Sequence, residues 1–362
     1  MSKSSVDALF APLTFRGGRQ ANNRLWLAPL TNQSSHEDGS LSNDELRFLT
    51  ARAAGGFSVI ESCATHVSLE GQGWPGEFGI FEDRLIDDWR RVAEAIHAHD
   101  ALLIPQIFHA GERANAQVSG RQAWSASGDE ENNVRPATLL DIQNVIEAFA
   151  RATRRALAAG ADGVELHGAH GYLLCQFLSP TRNHRNDRYG GTLENRARLI
   201  REVMRACRAE VPADFIVGVR LSPEDFGATV GIDIDDAIQT ATWLTEDGAD
   251  FIHISLWDVF QTSKKYPDTH PLTLFRAALP QDVPLITAGH IWTVDDALQT
   301  LARGADAVAL GRSAIANPDW PRQAHRPQNS PRRPPLSPEE LAERGLGPAF
   351  IDYMRRWQGF VR

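Results

Sequence analysis

Cysteine, lysine and long apolar runs are what this chain has least of. Its 362 residues hold three cysteines, Cys63, Cys175 and Cys207. None stands in a CxxC pair and they form no cluster, which excludes a thiolate zinc site or an iron–sulphur centre. Free, buried thiols in a reducing compartment are the expectation. Lysine occurs only as Lys3, Lys264 and Lys265. The latter two fall in a loop pattern, so no strand end offers the amine of a Schiff-base aldolase. No apolar stretch approaches the ~20 residues of a membrane span, and the N-terminus lacks a signal-peptide core. A surplus of positive charge is missing too: Lys and Arg number 37 against 46 Asp and Glu, a net −9, with the cations spread along the chain. That argues against nucleic acid or an acidic membrane as partner. A cytoplasmic protein acting on small molecules is expected.

What is present is alternation. Short runs rich in Val, Ile, Leu and Phe recur at 24–28, 57–61, 102–108, 163–167, 215–221, 251–255, 284–288 and 307–310. Most end at Gly, Pro, Ser or a polar residue, as buried strands do. Between them lie helical patterns at 44–54, 85–99, 142–159, 193–210, 235–246 and 293–303, with a short helix after Gly311. Strand then helix, about eight times, implies parallel strands with helical crossovers. An open doubly wound sheet usually carries a glycine fingerprint after its first strand. Here that turn reads Pro29-Leu30-Thr31-Asn32, which favours a single (β/α)8 barrel. The chain divides into a barrel, 1–325, and a Pro/Arg-rich linker with a helical tail, 326–362. Ser337-Pro338-Glu339-Glu340 reads as a helix start, and a second pattern runs over 348–357. This tail packs on the barrel or on another subunit, which makes it a possible seam of a homo-oligomer.

In such barrels the active site gathers where strands end. Those ends supply Pro29 to Thr31, Ser62, Gln106 with His109, His167 with His170 and Tyr172, Arg220, Ser255 to Asp258, Gly289, Gly311 and Arg312. The last two strands run into glycine, where barrels often bind phosphate on backbone N–H groups. Gly311 admits close approach and Arg312 adds a charged fork. A phosphorylated substrate, or a cofactor such as FMN, fits that reading; two plain turns with an exposed Arg312 are its alternative. Arg220 needs an anionic partner, either ligand or internal carboxylate. Gln106 offers donor and acceptor to a heterocycle edge, or is a satisfied core amide. His167 and His170 could ligate a metal, but matching carboxylates at the mouth are lacking, so no metal is expected. The cluster of two imidazoles and a phenol in six positions points instead to hydrogen-bond donation and proton transfer.

These residues resemble the Old Yellow Enzyme family of FMN-dependent ene-reductases. The stretch from His167 to Pro180, His-Gly-Ala-His-Gly-Tyr-Leu-Leu-Cys-Gln-Phe-Leu-Ser-Pro, and its continuation from Asn183 to Arg196 carry the match. Ala28-Pro29-Leu30-Thr31, Gln106-Ile107-Phe108-His109-Ala110-Gly111 and Leu310-Gly311-Arg312 add to it. The resemblance implies non-covalent FMN across the barrel mouth. Pro29, Leu30 and Thr31 would flank the flavin, with Ser62 near the same edge. Gln106 and Arg220 would hold its pyrimidine side, and Gly289, Gly311 and Arg312 its phosphate. His167 and His170 would bind the carbonyl or nitro oxygen of an enone or nitro substrate. Tyr172 would deliver the proton after hydride transfer from the flavin. NADPH or NADH would be the reductant, using the same mouth in turn. Relatives also include dehydrogenases and demethylases, and a non-catalytic flavin-binding protein is a further reading. In some relatives a C-terminal arginine enters a neighbour's mouth; Arg355 or Arg356 would be that residue here.

Three departures from the family pattern stand out. His290 takes the place of a second glycine after Gly289. The usual His-x-Gly-Arg reads His109-Ala110-Gly111-Glu112-Arg113, one residue longer. Neither the cysteine nor the tyrosine of one subgroup occurs at Thr31 and Gln33.

Overall fold

Eight β-rich segments, each too apolar on both faces to meet water, can be buried together only if the sheet closes and helices cover it. A computed structural model shows that closure. It describes residues 6–326 and 331–362, so part of the expected linker lies outside the described residues. The strands are β1 Leu25–Leu27, β2 Val59–His66, β3 Leu102–Phe108, β4 Gly163–Gly168, β5 Ile216–Leu221, β6 Phe251–Ser255, β7 Leu285–Ala288 and β8 Ala307–Leu310. Each pairs in parallel with the next, and β8 returns to β1. The β2–β3 register shifts between Glu61 and Ala64. That irregularity lets the Ser62 hydroxyl accept from the Gln106 amide, 3.1 Å away, in place of a ladder bond.

The principal helices are α1 Asn43–Ala54, α2 Ile86–His97, α3 Leu139–Ala158, α4 Arg198–Ala209, α5 Ile234–Glu246, α6 Pro271–Ala278 and α7 Val294–Ala302. α3 begins three residues ahead of its apolar stripe. The reason is a capping box: the Thr138 side chain accepts from the Asp141 N–H while the Asp141 carboxylate accepts from the Thr138 N–H. Ile142, Val145, Phe149, Ala152 and Ala156 then face the strands. The pattern expected as one helix over 193–210 is two, broken at Ala197. α6 was not expected; its signals are Pro271 at the first turn and His270, whose ring accepts from the Leu272 N–H.

A short antiparallel pair, Leu13–Thr14 with Gln20–Ala21, closes the end of the barrel opposite the strand C-termini. Phe15 and Trp26 pack there on Phe251, centroids 6.1 and 5.3 Å from it. Gly218 is obligatory beneath that ring, since a Cβ would stand 2.1 Å from it. This floor of large side chains makes the barrel a filled core rather than a pore, and leaves the opposite mouth for ligands.

After β8 come α8 Arg312–Ala316 and the tail helices α9 Pro338–Glu343 and α10 Pro348–Met354. Ser337 and Glu340 form the capping box that opens α9. The tail packs on its own barrel: Phe350 meets Phe48 of α1 edge-on at 5.0 Å. Arg52 of α1 is fully buried and pairs with no carboxylate among the described residues. It donates instead to the carbonyls of Phe48, Ala314, Ile315 and Arg344. Arg344 in turn donates to the Ala316 carbonyl at 2.8 Å. Two guanidinium groups thus satisfy the C-terminal carbonyls of α8 and lock the tail to it. No helix of the described residues is long and apolar enough to cross a membrane. All three cysteines are free and buried.

Candidate active site

At the C-terminal ends of the strands lies an open cleft of about 240 Å³. Pro29, Leu30, Thr31, His170, Arg220, Gly289, Gly311 and Arg312 all line it. Ser62, Gln106, His167 and Tyr172 do not. Ser62 donates inward to the Cys63 carbonyl at 2.7 Å, and Gln106 donates to Glu165 at 2.6 Å. His167 stands behind His170, and Tyr172 stands edge-on to His167 with ring centroids 5.0 Å apart.

The hydrogen bonds of the histidine pair fix a direction. Nδ1 of His167 accepts from the Ala169 N–H at 3.3 Å, so a neutral His167 carries its proton on Nε2. That N–H donates to Nδ1 of His170, 3.2 Å away. His170 is then protonated at Nε2 and donates to Ser255 Oγ at 2.7 Å. Ser255 Oγ also accepts from Arg220 at 3.0 Å, leaving its own hydroxyl proton free to donate. Burial, and then the positive charges of Arg220 and Arg113, hold both imidazoles well below the usual histidine range. They are neutral donors, not imidazolium ions.

Beneath the mouth, Glu61, Glu165 and His253 project into the barrel with ligand atoms within 4.8 Å of one another. None of the three was among the site residues expected from sequence. Glu165 and His167 are two apart on β4, so both face inward; a polar residue at such a position in an apolar strand was the available signal. Nδ1 of His253 lies 2.8 Å from Glu165. Burial and the Glu165 charge push Glu61 well above the usual carboxylate range, so it keeps its proton. The Glu165 charge acts on Arg220 electrostatically, but Arg220 forms no ion pair among the described residues. The guanidinium still has a buried Nε without a partner.

Three observations test the fit of a flavin phosphate here. Arg220 Nε is an orphaned buried donor beside the cleft. Ser313, on the first turn of α8, has a buried hydroxyl with no partner and lines the same cleft. Arg312 is half-buried and forms no ion pair among the described residues; it lies 5.0 Å from the Trp357 ring. Orphan donors and an unpaired cation suit an anionic, heteroaromatic ligand. Gly289 belongs to the fit as well, since a Cβ there would stand 1.9 Å from the Leu256 carbonyl oxygen. The next residue, His290, adopts φ +55° and lines the cleft. It thus takes the left-handed backbone that glycine would adopt without strain.

The remaining wall comes from Trp257, within the Ser255 to Asp258 strand end named from sequence, and from tail residues whose part in the cleft the sequence did not disclose. Trp257, in the loop after β6, and Tyr353, Met354 and Trp357 of the tail all line the cleft. Trp257 stacks on Trp357 at 5.8 Å and on Phe226 at 4.4 Å. The tail therefore covers its own mouth; Arg355 pairs with Asp352 and Arg356 lies over Tyr353.

Comparison with known proteins gives the same picture. The NADH:flavin oxidoreductase / NADH oxidase family matches residues 8–330. A probable NADH-dependent flavin oxidoreductase of Bacillus subtilis is 36% identical over 322 residues, 86% of each chain. An NADH:fumarate oxidoreductase of Klebsiella pneumoniae is 33% identical over 88% of this chain, which spans only 36% of that longer protein. The Old Yellow Enzyme homologue of Zymomonas mobilis superimposes with a TM-score of 0.77 at 31% identity, covering 87% of this chain and 91% of that one. With the barrel, the cleft and the family match in agreement, the chain belongs to the Old Yellow Enzyme family and is an FMN-dependent NAD(P)H oxidoreductase.

Proposed function

We propose that this enzyme reduces the activated C=C bond of α,β-unsaturated carbonyl or nitro compounds. The observation that carries the reading is the chain of donors at the mouth: His167 to His170 to Ser255, with Arg220 on the far side of the same hydroxyl. Bound FMN supplies the hydride, which it draws from NADPH or NADH. Pro29, Leu30 and Thr31 flank the flavin site; Gly289, Gly311, Arg312 and Ser313 take its phosphate. Ser62 and Gln106 act from the layer below, by fixing the β2–β3 register and the Glu165 carboxylate. Arg220 supplies positive charge where the reduced ring system becomes anionic.

His170 and His167 bind the substrate oxygen. In the resting arrangement the His167 N–H points at His170 and the His170 N–H at Ser255, so an incoming oxygen replaces those acceptors. Neutral donors suit this work. They polarise the double bond through hydrogen bonds without releasing a proton to the oxygen, and each such donor is commonly worth ~10²–10³ in rate. Tyr172 gives the proton to the α-carbon. A buried phenol stays protonated at neutral pH, and burial raises its pKa further.

Anaerobic turnover of 2-cyclohexenone with NADPH and with NADH tests the proposal. Stoichiometric consumption of nicotinamide and enone supports it. A flavin that NAD(P)H reduces but that no enone or nitroalkene reoxidises rejects it, and leaves the dehydrogenase or demethylase direction, or simple flavin binding.

A further inference from the structure

Arg113 is the arginine that closes the longer His109-Ala110-Gly111-Glu112-Arg113 segment. It ends a single 3₁₀ turn, Gly111–Arg113, after β3. Gln176 pins that turn to the loop after β4. Its side-chain oxygen accepts from the Glu112 N–H at 3.1 Å, and its amide donates to the Gly171 and Ala110 carbonyls at 2.8 and 3.3 Å. The inserted Glu112 points away, 3.7 Å from Arg182. Arg113 is left with no carboxylate among the described residues. Its guanidinium donates to the His170 carbonyl at 2.7 Å and lies over the Tyr172 ring, 4.4 Å from the centroid.

The other groups around Tyr172 do not offer what Arg113 offers. Phe108 and His167 meet the ring edge-on at 5.1 and 5.0 Å, and Trp74 lies at 6.5 Å. These fix the plane of the ring without adding charge, since His167 is neutral. The neighbouring His170 is neutral as well. Glu77, from the segment after β2, and Tyr353, from α10, face the phenol and disfavour a negative oxygen there. Arg113 is the favourable charge.

We propose that Arg113 is a positioning residue for Tyr172, holding the ring against the histidine pair and supplying the positive charge toward which its oxygen turns negative as the proton leaves. The inference rests on the reading of Tyr172 as proton donor. In that step hydride from the reduced flavin forms the C–H bond at the β-carbon. The phenol O–H bond breaks, its proton goes to the α-carbon, and the electron pair stays on the phenolate oxygen until solvent reprotonates it. NAD(P)H is the source of the two electrons. Burial alone pushes the phenol up; the Arg113 guanidinium opposes that push.

The test uses FMN-loaded enzyme with ¹³C-labelled tyrosine ring carbons. The chain has four tyrosines, so the Tyr172 signal is assigned by its loss in Tyr172→Phe. In Arg113→Gln the Tyr172 titration midpoint is expected to rise by about one pH unit, and in Arg113→Lys most of that rise is expected to vanish. Reoxidation of the reduced flavin by enone is expected to slow roughly fivefold in Arg113→Gln, while reduction by NAD(P)H holds. A Tyr172 midpoint that does not move in Arg113→Gln overturns the inference, whatever the rate does. Failure of the parent reading shows itself differently: Tyr172→Phe would reoxidise with enone at the wild-type rate, and both would fall together.

Discussion

Nε2 of His170 lies 2.7 Å from Ser255 Oγ, so the histidine that faces the substrate is held by a serine that also anchors Arg220. Ligand oxygen and Ser255 compete for one N–H. Ser255→Ala removes the competitor and leaves the buried Arg220 and the half-buried His170 without that acceptor in the free enzyme. That state loses about 1–3 kcal/mol. Phenols, which mimic the substrate oxygen, are therefore expected to bind roughly fivefold tighter while Tm falls. Titration of the long-wavelength absorbance of the flavin–phenol complex measures this. Weaker binding would mean that Ser255 orients His170 for the ligand instead of competing with it.

Tyr172→Phe separates the two halves of the cycle. The ring contacts with Phe108 and His167 survive, because only the hydroxyl is lost. Reoxidation by enone is expected to slow by about 10²–10⁴, the usual worth of a positioned acid. Flavin reduction by NAD(P)H needs no proton from this group and is expected to stay within about twofold. Stopped-flow absorbance of each half-reaction decides it, and a block in reduction alone would remove Tyr172 from the donor role.

Arg52→Leu tests the clamp between barrel and tail. Four carbonyls lose a charged donor, two of them on α8 beside Ser313 and Arg312. The loss is expected to cost about 3–5 kcal/mol. FMN retention is expected to weaken with it, since α8 carries the phosphate end of the cleft. Denaturant melts with and without excess FMN read both effects, and an unchanged midpoint would dismiss the clamp.

Glu45 gives the protein a pH slope that can be assigned. The carboxyl is fully buried against Asn32, 2.8 Å away, and burial pushes its pKa up to about 7 from 4.5. Between those values the folded chain holds a proton that the unfolded chain has released. Stability contributed at this position therefore falls as pH rises from 4.5 to 7, by about 3 kcal/mol. Glu45→Gln keeps an acceptor for Asn32 and is expected to flatten that part of the curve. Urea unfolding of both proteins from pH 5 to 8 is the measurement; parallel curves would show that Glu45 ionises freely in the folded state.

All eight strands were legible because each opens on an apolar run, and all eight runs named from sequence overlap an observed barrel strand, although β2 runs on to His66, five residues past the expected end, and β4 one residue past, to Gly168. Boundaries were less so where a cap lies outside the apolar stripe, as at Thr138. α6 escaped because its apolar face is short and its start is signalled by His270, a rarer cap than serine or threonine. Within the site, residues in one contiguous segment were easy to see together, as with His167, His170 and Tyr172. Ser313 and Trp357 were not, because their chemistry comes from tertiary neighbours far apart in sequence. Glu61 and His253 hid for another reason: Glu61 stands where its apolar run gives out and His253 between two isoleucines, and neither position carries meaning until β4 and β5 set them facing Glu165 and Arg220.

The roof of the reaction chamber is built from a segment that carries none of the strand-end chemistry. Tyr353, Met354 and Trp357 close the cleft, and the Phe360 carbonyl accepts from the Leu336 N–H to seal the tail on itself. A fluctuation that peels this segment away unroofs the flavin cup while the barrel beneath stays folded. Escape of the cofactor is therefore expected to follow detachment of the roof, a local opening, rather than global melting.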